Sequence, residues 1–166
     1  SSGFSVIYFI DDVEMESQIR SSMHRAMESA LEEAFEKLDD MGWIEKLCIE
    51  LRDRINRLTP RRSDLRDSFA REFDVGLIVQ MLRHDAVDVE DLKNILETVW
   101  VRLSMLCAPI HDEEISNLRL ESRSGNCSVA KMLCAANRII DDIERLQSSA
   151  ESLAFASAYA SYHTLR

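Results

Sequence analysis

The chain has 166 residues, of which 46% are hydrophobic, and its formal net charge is −10. This length and hydrophobic content predict one folded domain with a buried core rather than a disordered chain. The negative charge repels phosphate backbones, so nucleic acids and anionic membrane surfaces are disfavoured as partners. The sequence has only two prolines and four glycines. This scarcity of helix-breaking residues favours long helices.

The first part of the chain predicts a long helix. Residues 4–10 form a short apolar segment that we expect to lie ahead of this helix as an arm. Asp11 or Asp12 is expected to cap the helix, because carboxylates suit its positive end. The apolar spacing then continues at three- and four-residue steps and predicts an end near Asp40 and Gly42.

Four shorter helices are predicted next. An apolar face from Ile44 to Leu58 indicates the second, and Thr59 with Pro60 is expected to end it and begin the third. Asp74 is expected to cap the fourth helix and Asp88 the fifth, each by accepting hydrogen bonds from exposed backbone N–H groups. Trp43 and Trp100, at apolar helical positions, are expected to lie in the core.

The last part of the chain predicts a short helix from about Asp112 to Leu120, a polar linker over residues 121–128, and a final helix from Val129. We predict an all-α fold, a single bundle of about six or seven helices with short connections and long first and last helices. Residues 11–147 are predicted to form the bundle, preceded by residues 1–10. Residues 148–166 are a predicted C-terminal helix extension.

The cysteines and the apolar runs of the sequence bear on the cellular compartment. The four cysteines fit neither a disulfide framework nor a CxxC pair and sit among apolar helical residues, which predicts small buried hydrophobes in a reducing compartment. They are Cys48, Cys107, Cys127 and Cys134. No apolar run reaches the roughly 20 residues of a membrane helix, and no signal peptide is visible. We predict a cytoplasmic protein. Ser1-Ser2-Gly3 reads as a cloning remnant, so we expect a piece of a longer protein.

One motif carries a family resemblance. Residues 106–115, LCAPIHDEEI, resemble the "LCAP-[VI]-x-DE" signature of the T-complex protein 11 family. Residues 65–86 and the helix around residues 19–35 are similar to further family segments in the same order, although Asp85 stands at a position where the family has glycine. The resemblance covers residues 12–120. It implies a helical protein linked to cyclic AMP and protein kinase A signalling, and it implies no catalytic residues.

The same motif has a structural interpretation in the residues themselves. Leu106 and Cys107 are expected to end one helix, and Pro109, after Ala108, prevents its continuation. Asp112 is expected to cap the next helix, with Glu113 in its first turn. We therefore interpret the motif first as a tight corner between two helices, and only second as a binding site.

Enzyme chemistry finds little support in the sequence. There is no nucleophile elbow, glycine-rich phosphate loop or HExxH motif. His111 with Glu114, and His84 with Asp85 and Asp88, come closest to a metal site, but zinc needs three or four convergent ligands. We interpret both histidines as surface residues and predict no metal, cofactor or catalytic residue.

The acidic pairs are predicted to be solvated. The sequence places them at helix ends or on exposed faces, where paired carboxylates lack the cleft that acid–base catalysis needs. These pairs are Asp11/Asp12, Asp39/Asp40 and Asp141/Asp142.

A cluster of arginines is the strongest candidate binding site. Its five members, lying between two acidic parts of the chain, are Arg54, Arg57, Arg61, Arg62 and Arg66. Guanidinium groups bind carboxylates and phosphates through two parallel hydrogen bonds, so an acidic or phosphorylated group is a fitting ligand. The alternative is that these arginines pair with the acidic first helix of the same chain.

We predict a non-enzymatic protein-interaction or adaptor module with a protein partner. The resemblance makes a component of the protein kinase A pathway the leading candidate for that partner. Two alternatives stay open: a structural self-association module in which a long helix pairs with its copy, and a phosphopeptide- or phospholipid-binding helical domain that uses the arginines.

Overall fold

The computed structural model describes residues 2–37, 41–84, 86 and 88–164, and this part of the chain contains seven α-helices and one short 3-10 helix. The helices, in chain order, are α1 (Ser2–Lys37), α2 (Met41–Arg57), α3 (Ser63–Glu72), α4 (Val75–Arg83), α5 (Val89–Leu106), the 3-10 helix (Pro109–His111), α6 (Asp112–Arg123) and α7 (Val129–Thr164). The predicted all-α bundle, with long first and last helices, is confirmed.

Two of the predicted helix caps are confirmed. The Asp74 carboxylate accepts a hydrogen bond from the Leu77 N–H at 3.1 Å and begins α4. The Asp88 carboxylate accepts from the Glu90 N–H at 2.9 Å and from Asp91 at 3.1 Å. Each carboxylate satisfies donors that the first helical turn cannot pair internally, which is the reason these helices begin where they do.

The prediction for the beginning of α1 is wrong. The helix extends back to Ser2, so residues 4–10 are helical and do not form an extended arm. Asp11 and Asp12 consequently lie inside the helix and cannot cap it. Neither proline nor glycine interrupts residues 4–37, and an established helix extends more easily than a new one is nucleated. The predicted end near Asp40 lies outside the described residues.

Two other helix boundaries differ from the predictions. Helix α3 begins at Ser63, so Thr59 and Pro60 lie in the turn after α2 instead of starting α3. In that turn the Arg62 N–H donates to the Thr59 carbonyl at 3.2 Å. Helix α6 continues to Arg123, and the left-handed backbone of Gly125 (φ 76°) then reverses the chain. Glycine adopts that conformation without steric cost.

The first fifteen residues of α7 form the centre of the core. Ten of them are buried, and α7 packs against α1, α2 and α5. Trp100 of α5 is fully buried, and its indole N–H donates to the Ser122 hydroxyl of α6 at 2.8 Å. Trp43 is half-buried against the core. The prediction is therefore confirmed for Trp100, whereas Trp43 packs against the core and is only partly buried.

The four cysteines are free thiols. Burial, with a smaller contribution from the charge of Glu45, raises the pKa of the Cys48 thiol to about 12. Burial also raises the pKa of the Cys134 thiol to about 11. These two thiols stay protonated near neutral pH and pack as small apolar groups, because the thiolate is the reactive form.

Candidate functional site

The predicted arginine cluster is divided by the fold. Arg54 lies on α2 and faces α7, with only 15% of its side chain exposed. Its guanidinium donates to the Asn137 side-chain oxygen at 2.7 Å, to Asp141 at 2.6 Å and to Glu144 at 3.1 Å. Burial lowers the pKa of Arg54, but hydrogen bonds and charges from Asp141 and Glu144 more than offset this and leave the pKa raised. Arg54 therefore links α2 to α7 through these contacts and is not available to a ligand.

This pairing corrects two predictions. The arginines were expected either to bind a ligand or to pair with the acidic first helix, but Arg54 pairs with the last helix. Asp141 and Asp142 were expected to be solvated. Instead Asp141 binds Arg54, and Asp142 forms an ion pair with Arg145. Both carboxylates lie in the middle of α7 and are half-buried.

Arg62 is paired locally. Its guanidinium binds the Asp64 carboxylate through two hydrogen bonds, Nε to Oδ1 at 3.0 Å and Nη2 to Oδ2 at 2.8 Å. The hydrogen bond from Arg62 is the main cause that lowers the pKa of Asp64 to about 2. Both side chains are exposed, so this fork contributes little to stability. The Asp64 carboxylate occupies the Nε and Nη2 donors of Arg62, with which a ligand would otherwise form a bidentate contact.

Arg57 and Arg66 lie together along an open groove between the end of α2 and α3. The groove has a volume of about 950 Å³, and Arg52, Asp53 and Asp67 also line it. Arg61 is exposed in the adjoining turn. The structure thus brings Arg57 and Arg66 to one surface and removes Arg54 to another.

The LCAP motif forms a corner. Helix α5 ends at Leu106, and the Cys107 N–H closes it on the Leu103 carbonyl at 2.9 Å. After Ala108, Pro109 opens the 3-10 helix that leads into α6. The predicted capping by Asp112 is wrong, because Asp112 is the first residue of α6 and no side chain caps this end. Glu113 is exposed in the first turn.

The outer half of α7, residues 144–164, is a second candidate surface. Every residue in it is exposed, including Leu153 at 72% and Phe155 at 74%. Tyr159 and Tyr162 follow Phe155 at steps of four and three, so the three aromatic rings share one face of the helix. Glu151 is the only acidic residue, and no Lys or Arg occurs, between Leu146 and Thr164. Exposed apolar surface of this kind marks interaction sites on proteins.

Comparison with known families identifies the chain. The sequence model of the family described as T-complex protein 11 matches residues 8–147. The chain belongs to the T-complex protein 11 family. The resemblance seen in the LCAP motif is thereby confirmed, and the outer half of α7 lies almost entirely beyond the matched residues. No solved structure matches the chain.

In this T-complex protein 11 family member, His111 of the corner is buried, not on the surface as predicted. Only 8% of it is exposed. Its Nδ1 lies 3.5 Å from the Glu114 carboxylate and its Nε2 lies 3.7 Å from Asp142 of α7. Glu114 also forms an ion pair with Arg138 of α7. These polar contacts therefore link the corner to Arg138 and Asp142 of α7, and the local sequence does not reveal them.

As far as the structure describes them, the two histidine-containing groups of the sequence do not form a metal site in this family member. His84 is exposed, and Asp85 lies outside the described residues. Among the described residues no group of three or more His, Cys, Asp or Glu side chains is placed to hold a metal ion. Across the same part of the chain, no helix combines the length and the apolar character that crossing a membrane requires.

Proposed function

We propose that this protein is a non-enzymatic adaptor that binds a partner protein through the outer half of α7. The observation that carries this proposal is the exposure of Leu153, Phe155, Tyr159 and Tyr162 on a helix with almost no charge. Helices of this kind bind in apolar grooves of partners, with anchoring side chains at steps of three and four. Aromatic side chains are enriched at protein interfaces and often dominate their binding energy.

The neutrality of this segment also supports the proposal. The chain as a whole carries a charge of −10, which opposes close approach by other acidic proteins. Glu151 is the single formal charge between Leu146 and Thr164. A partner that covers this helix therefore desolvates few ionised groups, and burying unpaired charges is the costly part of forming an interface.

The partner that we propose is a component of the protein kinase A pathway, and the protein is proposed to act in the cytoplasm. Both parts rest on the family resemblance, and not on a contact in the structure. The inner half of α7, residues 129–143, is packed in the bundle. A partner bound to the outer half would therefore be held in a fixed position relative to the bundle.

The test is direct binding of purified protein kinase A regulatory and catalytic subunits, measured by surface plasmon resonance. The variant Phe155→Ala/Tyr159→Ala should weaken binding about ten- to a hundredfold, because aromatic anchors dominate interface energies. Alanine preserves helix propensity, so the helix itself should remain. The matched control is Met105→Ala, which truncates an exposed apolar side chain on α5 and should leave binding unchanged.

A second candidate function is self-association, and the same exposed helix favours it. Sedimentation velocity over a range of concentrations separates the two functions. A dimer that the Phe155→Ala/Tyr159→Ala variant dissociates, with neither kinase subunit bound, would replace the adaptor proposal with self-association. Binding of a subunit that both the double variant and a chain ending at Gln147 retain would show that the outer half of α7 is not the binding element.

A further inference from the structure

The groove between α2 and α3 is a second surface, separate from α7, with unused hydrogen-bonding capacity. Arg57 and Arg66 line it, and neither side chain has a hydrogen-bond or ion-pair partner within the described ranges. The Nε of Arg66 is buried from solvent, which distinguishes it from an ordinary surface arginine. That covered atom is out of reach of a ligand, so binding in the groove uses the outer N–H groups of the two guanidinium groups, which have no acceptor among the described residues.

Arg54 and Arg62, two other members of the cluster, differ from Arg57 and Arg66. Arg54 is held by Asp141 and Glu144, and Arg62 is held by Asp64. Arg54 and Arg62 are therefore occupied by ion pairs within the chain, whereas Arg57 and Arg66 line the groove and can bind a ligand. A ligand for this groove must be an anion that accepts several N–H hydrogen bonds, since guanidinium groups only donate.

We propose that this groove binds a phosphorylated segment of a partner protein, with the phosphate held by Arg57 and Arg66. A phosphate monoester carries a charge of about −1.5 to −2 and three acceptor oxygens. It can therefore engage two guanidinium forks at once, whereas a carboxylate offers two oxygens and a single charge. The groove volume of about 950 Å³ far exceeds one phosphate group and accommodates several peptide residues.

Two aspartates select among phosphate-bearing ligands. Asp53 and Asp67 line the same groove, and Asp53 lies 3.5 Å from the Arg52 guanidinium. A polyanion such as a nucleic acid or a multiply phosphorylated lipid headgroup would meet these carboxylates and the field of a chain with net charge −10. A peptide with one phosphate and a nearby basic residue matches both signs of charge. We therefore assign the site to a phosphopeptide with a basic flank.

The test uses the whole chain and a fluorescein-labelled pool of peptides of about ten residues, degenerate except for a central phosphoserine and a flanking arginine. Fluorescence anisotropy compares this pool with the same pool lacking the phosphate. We expect the phosphorylated pool to bind at least about tenfold more tightly, because charge-assisted forks to phosphate are the strong contacts. Affinity should fall as salt is raised.

Three substitutions locate the site. Arg57→Glu reverses an exposed charge and should abolish the preference for the phosphorylated pool. Arg66→Lys keeps the charge but removes the planar fork of N–H donors that suits phosphate, and should weaken binding severalfold. Arg83→Glu, at the end of α4 and outside the groove, is the matched control and should bind as the original chain does. Circular dichroism establishes that each variant remains folded.

Equal binding of the phosphorylated and unphosphorylated pools would overturn the proposal, as would full binding by the Arg57→Glu variant. Binding confined to phosphatidylcholine vesicles that contain a phosphorylated phosphatidylinositol would assign the groove to lipid and overturn it as well. The proposal is independent of the outer half of α7. We expect Phe155→Ala/Tyr159→Ala to leave phosphopeptide affinity unchanged, so the two proposals fail separately.

Discussion

The two halves of α7 form one continuous helix in opposite environments. Residues 129–143 include ten buried positions and fill the centre of the bundle, whereas residues 144–164 are all exposed. The inner half presents large aliphatic side chains such as Leu133, Ile139 and Ile140 to the core. The outer half consists mainly of alanine and serine with a few large apolar side chains.

Helix formation and core packing are therefore separate requirements. Alanine has the highest helix propensity, and a helix nucleated by the packed half extends at little cost. The outer half therefore stays helical although none of its residues is buried. Its exposed aromatic rings contribute to binding a partner in our proposal, and not to folding.

The largest expected effect is on the free energy of unfolding, when an aliphatic side chain is truncated in the buried half of α7 and, for comparison, in the exposed half. Ile140→Ala should lower the free energy of unfolding by about 2–5 kcal/mol, since it leaves a cavity in a packed core. Leu153→Ala, at a position that is 72% exposed, should change it by no more than about 0.5 kcal/mol. Urea denaturation monitored by circular dichroism measures both. Similar losses for the two variants would contradict the comparison.

A smaller effect is expected at the border between the two halves, where Arg54 binds Asp141 and Glu144. Arg54→Ala should destabilise the bundle by about 2 kcal/mol, because hydrogen bonds to two charged groups are lost and the partly buried Asp141 is left without its donor. The control Arg57→Ala removes an exposed arginine of the same helix and should be nearly neutral. Thermal unfolding of the two variants decides whether Arg54 is a structural residue.

The smallest effect on stability is expected for an ion pair between α5 and α6. Arg119 of α6 donates to Glu97 of α5 through its Nε at 3.1 Å, and Arg123 adds a hydrogen bond at 3.2 Å. The hydrogen bond from Arg119 lowers the pKa of Glu97 and outweighs the effect of desolvation. Because these side chains are about one-third exposed or more, Glu97→Gln should cost only about 1 kcal/mol at neutral pH.

The pH dependence of that effect follows from the lowered pKa. A carboxylate whose pKa is lower in the folded state adds stability above its unfolded pKa of about 4.3, and loses it as pH falls through the folded value. The difference in unfolding free energy between the original chain and Glu97→Gln should therefore shrink below about pH 4. Glu113→Gln, at an exposed position, serves as the control. A difference that stays constant with pH would indicate that the ion pair contributes no stability.

Local features of the fold were predictable from sequence. The caps at Asp74 and Asp88 act on backbone groups two or three residues away, so a short window contains both partners. The LCAP corner was predicted for the same reason, since Pro109 stops a helix by its own covalent geometry. The failure at Asp112 shows the limit, because the 3-10 turn before it leads directly into α6 and leaves no capping position for its side chain.

The candidate site was less predictable because its decisive partners are distant in sequence. Arg54 and Asp141 are separated by 87 residues, and no pattern near Arg54 distinguishes it from Arg57. His111 has the neighbours of a surface residue, yet packing against α7 buries it between Glu114 and Asp142. The scarcity of charge after Arg145 was a sequence signal for the exposed half of α7, although composition does not reveal whether such a helix is covered.

The all-α class, the family, and the helix starts at Asp74 and Asp88 could be predicted from the sequence, because apolar periodicity, a short motif and capping chemistry all act over neighbouring residues. Only the folded chain shows which arginines form ion pairs, which histidine is buried and which half of α7 is exposed. These outcomes depend on how α1, α2 and α5 pack around α7 and on ion pairs from α6, which join residues that lie far apart along the chain.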